Sequence, residues 1–522
     1  MTARLRCSRA IILPKKLFKG DIKMASLPHG MTRMDMFHKS HCEPEKHLSP
    51  VFSQHFGRIF HKDGNDLQWT GDKNDLVQHF MDLVADMKRE KIQTGKADAG
   101  MTFFGQFIDH DVTLDVTSAI GTRIDPRAIR NVRTPNLDLD CVYGDGPEAS
   151  PHLYAEMRVG EKKHGEFLAF GQSKNPHDLA RTTHGVALIG DPRNDENAFL
   201  SQLQGSFITL HNILMAEHHR GGEMAADIRS CAHQGLGELN WNDVVIPRFA
   251  GFEEVRRFIR LHYQYLVLKD FLPQFVTREA IDAAWAKAVP LGSPVMPVEF
   301  SVAGFRFGHA TVQPEYQIKT DGTCIDLFPA MGFGPKGKDV NIETMSLFFG
   351  PDAQRARPVG TGVASPLFEL PFITAPIQFE DHPGVAVKHP ASANLALRNI
   401  LRDRFALSVA SGQQMARKFG VDQLPPPQAL AKHGIEKTPL WFYCLEEADA
   451  SSHGQLDGVG GRIVAGVLIN LLRRDPTSVL HMWDHFTPYD GFGGKNMTMA
   501  SLLDWVEKNK GSLDHPEDLF AG

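Results

Sequence analysis

Gly105-Gln106-Phe107-Ile108-Asp109-His110-Asp111, behind the aromatic pair Phe103-Phe104, gathers an amide, two carboxylates and an imidazole into one short run. On a helix Gln106 and His110 stand at i and i+4 and share a face. Asp109 and Asp111 flank His110 at about 100° to either side, because a helix has roughly 3.6 residues per turn. One helix thereby presents an acid–base group, a polar contact and a carboxylate to one pocket, and aims a second carboxylate elsewhere. That arrangement suits a redox cofactor beside a structural ion. With 25 histidines in 522 residues, Asp-His-Asp alone is as readily a solvated turn. Its neighbours and three later segments carry the reading further.

The first is Gly190-Asp191-Pro192-Arg193-Asn194-Asp195-Glu196-Asn197. Gly-Asp-Pro breaks the chain, and Asn194 or Asp195 is suited to cap a following helix. The apolar run from Glu196 to His218 predicts a buried helix, with Arg193 and Glu196 facing the same way at its start. The second is Gly304-Phe305-Arg306-Phe307-Gly308-His309-Ala310, where Arg306 and His309 are again three apart and Gly308 admits a bulky neighbour. The third is Leu395 to Arg404, which places Asn399 and Arg402 on one helical face. A neutral amide near a histidine suits a group that must orient a ring without adding charge.

Together these motifs, in this order over roughly residues 100 to 470, resemble the animal-type heme peroxidases. This is the peroxidase–cyclooxygenase superfamily, with its myeloperoxidase-like and bacterial members. The resemblance implies that His110 is the distal base, Arg193 the catalytic arginine and Gln106 a contact for halide or water. It implies His309 as the axial iron ligand and Asn399 as the acceptor of a hydrogen bond from its ring. Asp109 and Glu196 match the carboxylates that form ester bonds to the heme in this family. Arg306 and Arg402 are expected to pair with the propionates, since a guanidinium meets a carboxylate through two parallel bonds.

Arg133 to Gly144 resembles the family's calcium loop. Thr134, Asn136, Asp138 and Asp140 alternate, which on an extended chain puts their oxygens on one side, and Asp111 completes the shell. Calcium takes six to eight oxygen ligands, several of them carboxylates. The expected cofactors are therefore heme b, ester-linked through Asp109 and Glu196, and Ca2+.

The expected activity is reduction of hydrogen peroxide through a ferryl state, with an organic or halide donor oxidised and a part in the response to oxidative stress. Two alternatives share the fold. A fatty-acid dioxygenase of the cyclooxygenase or α-dioxygenase kind uses a tyrosine three residues before the proximal histidine. That position holds Arg306, and the chain has only seven tyrosines. A non-catalytic heme-binding relative would not need to keep His110, Arg193, His309 and Asn399 together.

The motifs of one site span too much chain for a string of modules, so residues 31–522 are expected to form one large, mainly α catalytic domain with little β. Long apolar-periodic runs at Glu196–His218, Val255–Leu272, Asn394–Phe419 and Gly461–Leu472 support helices. With 46 glycines and 32 prolines the loops are expected to be long, and Gly420–Pro439 reads as one of them. Residues 1–30 read as a basic, disordered arm. The apolar run Ala10-Ile11-Ile12-Leu13 is too short for a signal peptide, which suggests a cytoplasmic or non-classically exported protein. A net charge of −6 gives no reason to invoke nucleic acid. No run reaches the roughly 18 apolar residues of a membrane helix. Six cysteines without CxxC spacing demand no disulfides.

Overall fold

The structure is a computed structural model that describes residues 56–60, 72–114, 131, 133, 135–221, 251–287, 296–328, 332–379, 384–451, 453–475, 477–482 and 486–520. The expected basic arm lies outside them. The architecture is mostly helical. Its described helices of seven residues or more are α1 (Lys73–Ala85), α2 (Ala99–Val112), α3 (Ala198–Arg220), α4 (Phe252–Leu266), α5 (Arg278–Ala286), α6 (Leu395–Leu401), α7 (Gly412–Phe419), α8 (Leu440–Ala450), α9 (Gly458–Arg474) and α10 (Met499–Asn509). The described strands form only two-stranded ribbons. The longest pairs β1 (Tyr154–Val159) antiparallel with β2 (Lys162–Leu168), and β2 packs beside α3. One apolar cluster runs from Phe56 to Leu519.

The centre is the pair α2 and α3. Both are apolar nearly all round, as helices enclosed on every side must be. Phe107 stacks on Phe207 at 4.8 Å and Phe103 on Phe199 at 4.6 Å between ring centres. Such pairs add about 0.5–1.5 kcal/mol to the area they bury. At the start of α2 the carboxylate of Asp98 does not cap its own helix; it accepts from Gly350 N at 2.8 Å and pairs with Arg355.

Three helix expectations are corrected. Helix α3 begins at Ala198, not Glu196, and its cap is Asn197, which accepts from Leu200 N at 2.7 Å; neither Asn194 nor Asp195 caps it. Pro192–Asp195 instead forms a separate 3-10 turn capped by Asp191. The run Asn394–Phe419 is not one helix. After α6 the chain makes a π-turn at Arg402–Ala406, and Ser408 takes a left-handed φ of 45°. Ser411 then opens α7 with a capping box to Gln414. The run Val255–Leu272 starts earlier, at Phe252, and continues past α4 through a π-turn at Val267–Phe271. Within the expected loop 420–439, Gln428–Ala431 makes one helical turn. Among the described residues no helix is long and apolar enough to cross a membrane. Cys141, Cys324 and Cys444 are free.

Candidate active site

Helix α2 sends its motif residues to different partners. Asp109 lines a cavity, His110 is buried beside it, and Asp111 turns to the loop 138–140. His110 Nδ1 lies 2.7 Å from Asn194 Oδ1. Asn194 Nδ2 donates to Gln204 Oε1 at 2.8 Å, and Gln204 Nε2 donates to the Cys141 carbonyl at 3.3 Å. An amide oxygen only accepts, so His110 carries its hydrogen on Nδ1 and keeps a lone pair on Nε2. Burial, assisted by the Arg193 charge, pulls the His110 pKa down to about 3, which keeps the ring neutral. Asn194 had no functional reading in the sequence. Its signal was its place immediately after Arg193 in the Gly-Asp-Pro turn.

The Arg193 guanidinium reaches the same cavity but is largely engaged. Its Nε and Nη2 donate to Asp191, and Nη2 also donates to the carbonyls of His110 and Thr113. Among the described residues Nη1 makes no hydrogen bond. Asp191 is fully buried between Arg193 and Arg133, whose Nε donates to it at 2.9 Å. Those two charges hold its carboxyl near 2, despite its burial. Arg133 in turn lies 3.5 Å from Asp140. A chain of buried charge thus links the catalytic arginine candidate to the acidic loop.

That loop departs from the expected extended run. Leu139 adopts a left-handed φ of 63° and Asp140–Tyr143 form a helical turn. A left-handed non-glycine costs roughly 1–2 kcal/mol. It bends the chain so that one carboxylate oxygen each from Asp111, Asp138 and Asp140 lie within 4.8 Å of one another. Asp111 Oδ1 is buried without a hydrogen-bond partner. Burial and the neighbouring Asp138 push the Asp111 pKa up, and Asp140 is pushed the same way. Buried, crowded, hard oxygen donors fit a divalent cation such as calcium. Asn136 is half-buried on the same loop, and Thr134 lies outside the described residues. Gly190 is obligatory here: a Cβ would overlap the Asp140 carbonyl, where Asp191 N donates to Cys141 O at 3.0 Å.

The proximal motif forms a 3-10 turn, Gly304–Phe307, followed by a helical turn, Gly308–Thr311. Trp441 of α8, fully buried, donates Nε1 to the Arg306 carbonyl at 3.0 Å and pins the turn. The Arg306 side chain donates Nε to Ser301 O, in the π-turn Glu299–Ala303, at 3.1 Å. Burial, with Arg306 and Arg402 nearby, pulls the His309 pKa down to about 3. Asn399 on α6 meets His309 Nδ1 at 2.9 Å, but through Nδ2, while Arg306 Nη1 lies 3.5 Å from Asn399 Oδ1. The amide therefore donates to the ring instead of accepting from it. Arg306, a pure donor, holds the oxygen, and the reverse sense requires the amide to turn over.

Asp109, Thr113 and Arg193 from the distal side and Ser301, Arg306 and Arg402 from the proximal side line one partly open cavity of about 80 Å3. Gln106, His110, Glu196, His309 and Asn399 are not on its wall. Three guanidinium groups around one carboxylate suit a dianionic ligand, and the neutral imidazole of His309 suits a metal bond, so the donor set fits heme. The long arginine arms must move aside to admit it. Burial raises the Asp109 and Glu196 carboxyls. Gln106 Nε2 donates to Glu196, and Asn197 Nδ2 donates to Gln106 Oε1 at 3.2 Å. Gln106 is thus fixed by Glu196 and Asn197.

The family model described as Animal haem peroxidase matches residues 114–333. Thyroid peroxidase of Sus scrofa is 27% identical to this chain over 207 residues, which is 36% of this chain and 20% of that protein. The Homo sapiens protein is 25% identical over 211 residues, with the same coverage. The chain spans about a fifth of the length of these curated relatives. Among solved structures, Peroxidase A from Dictyostelium discoideum matches with a TM-score of 0.52 at 12% identity, covering 88% of this chain and 94% of that one. Oryza sativa fatty acid alpha-dioxygenase matches with a TM-score of 0.52 at 15% identity, covering 86% and 80%. The chain shares the fold of these two structures.

Proposed function

We propose that this chain is a heme peroxidase that reduces hydrogen peroxide while oxidising a small organic or halide donor. The observation that carries this reading is a pair of neutral imidazoles, His110 buried and His309 half-buried, each held through Nδ1 by a side-chain amide. Their two segments form the walls of one arginine-lined cavity. His309 would ligate the iron, Arg306 and Arg402 would pair with the propionates, and Asp109 and Glu196 would carry the ester links. Bound there, heme supplies the redox chemistry. Asp111, Asp138 and Asp140, with Asn136 and Thr134, would hold Ca2+ and tie the distal helix to its loop.

The chain's own groups handle the protons and the charge. His110 Nε2, unprotonated at neutral pH, takes a proton from the peroxide and returns it to the outer oxygen as that oxygen leaves as water. Asn194 holds the ring in the tautomer this needs. Arg193 Nη1 stabilises negative charge on the departing oxygen, an interaction strengthened where water is scarce. The same fold houses a fatty acid α-dioxygenase, but no tyrosine is among the described residues lining this cavity, and position 306 is arginine.

The test is an absorption spectrum of the purified ferric protein before and after one equivalent of hydrogen peroxide. A Soret band that bleaches and shifts within milliseconds is expected. A band indifferent to peroxide overturns the catalytic reading, and no band after heme supplementation overturns the heme reading too.

A further inference from the structure

A second set of metal-ligand side chains lies elsewhere, on the face of α1. His79 and Asp82 are three apart and so share a side of this helix. The adjoining side, with Leu76, Phe80 and Leu83 about 100° round the helix, is buried in the core. His433 arrives from the turn after Gln428–Ala431, where its N–H donates to the Leu430 carbonyl at 3.0 Å. Leu430, fully buried, anchors that turn where it packs against α1. The rings of His79 and His433 stack with centres 3.4 Å apart and 16° between their planes. One donor atom from each of His79, Asp82 and His433 lies within 4.8 Å of the others.

We propose that His79, Asp82 and His433 form a zinc site that staples α1 to the 428–435 segment. Two imidazole nitrogens and one carboxylate oxygen are a familiar zinc donor set, and three protein ligands leave a fourth position for water. Around a tetrahedral ion with bonds of about 2.0–2.1 Å, donor atoms stand roughly 3.3–3.5 Å apart, and because a ligated ion lies in the plane of each imidazole the two stacked rings must turn out of parallel to close the site. His433 Nε2 is buried with no hydrogen-bond partner, a state that ordinarily calls for a water or an ion. Asp82 is already oriented: Gln78 Nε2 donates to its Oδ1 at 2.9 Å, the kind of outer contact that positions a ligating carboxylate. Asp75 adds negative charge on the same helix, opposed by Lys432 beside His433. The donor set is nitrogen-rich and distinct from the all-oxygen cluster at Asp111, Asp138 and Asp140, so the two sites prefer different ions.

The experiment is calorimetric titration of Zn2+ into the metal-stripped full chain at pH 7.5, for the wild type, His433→Ala and the isosteric Asp82→Asn. One tight equivalent of zinc is expected in the wild type, weakened at least tenfold in Asp82→Asn and lost in His433→Ala. Zinc should raise the Tm of the wild type and not that of His433→Ala. A far-UV CD spectrum matching the wild type shows that each variant is folded, without reference to heme or activity. Absence of a tight equivalent in the wild type, or the same count and affinity in both folded variants, overturns the proposal.

Discussion

The distal and proximal halves of the cavity solve one problem in two ways. Each must hold a neutral imidazole in a fixed orientation, and each uses an amide rather than a carboxylate. On the distal side the amide, Asn194, is itself held by a neutral chain through Gln204 to a backbone carbonyl. Its oxygen is left to His110 alone. On the proximal side Asn399 is shared with Arg306, and the charged donor takes the oxygen. The distal histidine is thus locked in one tautomer, while the orientation of the proximal amide depends on where Arg306 points. A propionate that engages Arg306 would release the Asn399 oxygen to the ring. The comparison teaches that a side-chain amide orients a histidine only as well as its own second partner allows.

The sharpest break between the halves is expected from His309→Ala and His110→Ala. The first should abolish the Soret band or shift it strongly, read by absorption after heme supplementation. The second should keep the band and slow the reaction with peroxide by about 10²–10⁴-fold in stopped flow, the usual worth of a positioned acid–base group. Wild-type turnover in His110→Ala would remove the distinction.

Asn194→Ala should slow the same reaction by roughly tenfold, through loss of the tautomer lock. Asn194→Asp sharpens the point, because a carboxylate stabilises the imidazolium and raises the His110 pKa. The wild-type rate should stay level as pH falls until His110 protonates near its pKa of about 3, whereas the Asn194→Asp rate should fall from a higher pH. A purely structural Asn194 would leave that acid limb where it is.

Chelation of calcium with EGTA should destabilise the wild type by about 2–3 kcal/mol, the effect of a ligand removed from about a hundred times its Kd. Asp138→Asn should be less stable at the outset and insensitive to the chelator, both read by calorimetric melting.

The last prediction concerns pH. His110 and His309 are held neutral in the fold with pKa values near 3, against about 6.5 in the unfolded chain. The unfolded state therefore binds more protons below about 6.5, and stability present above that pH drains away as pH falls toward 3. The Tm of the heme-free chain should drop steadily over that window, less so in His110→Ala.

Much of the distal helix was legible in sequence, because a helical period acts on neighbours. Asp109, His110 and Asp111 part in three directions as 100° steps require. The helix boundaries were less legible. The apolar period continues through Glu196 and across 402–411, and only the caps at Asn197 and Ser411, with the left-handed Ser408, say where helices begin and break. Leu139 shows the same limit: alternation predicts an extended ligand loop, yet one left-handed residue gathers the carboxylates.

What the sequence by itself determined is the set of chemical groups and their local order: His110 between two carboxylates, Arg193 beside Asp191, Arg306 three before His309, Asn399 three before Arg402. These are short-range relations, and backbone geometry alone converts them into directions. What only the tertiary structure decided is which groups share a proton or a charge. Asn194 reaches His110 across 84 positions, Asn399 reaches His309 across 90, Arg133 reaches Asp191 across 58, and His433 stacks on His79 from a segment far along the chain. Hydrogen bonds and ion pairs act over a few ångströms in space and carry no trace in sequence spacing, so they exist only once the core has brought those segments together.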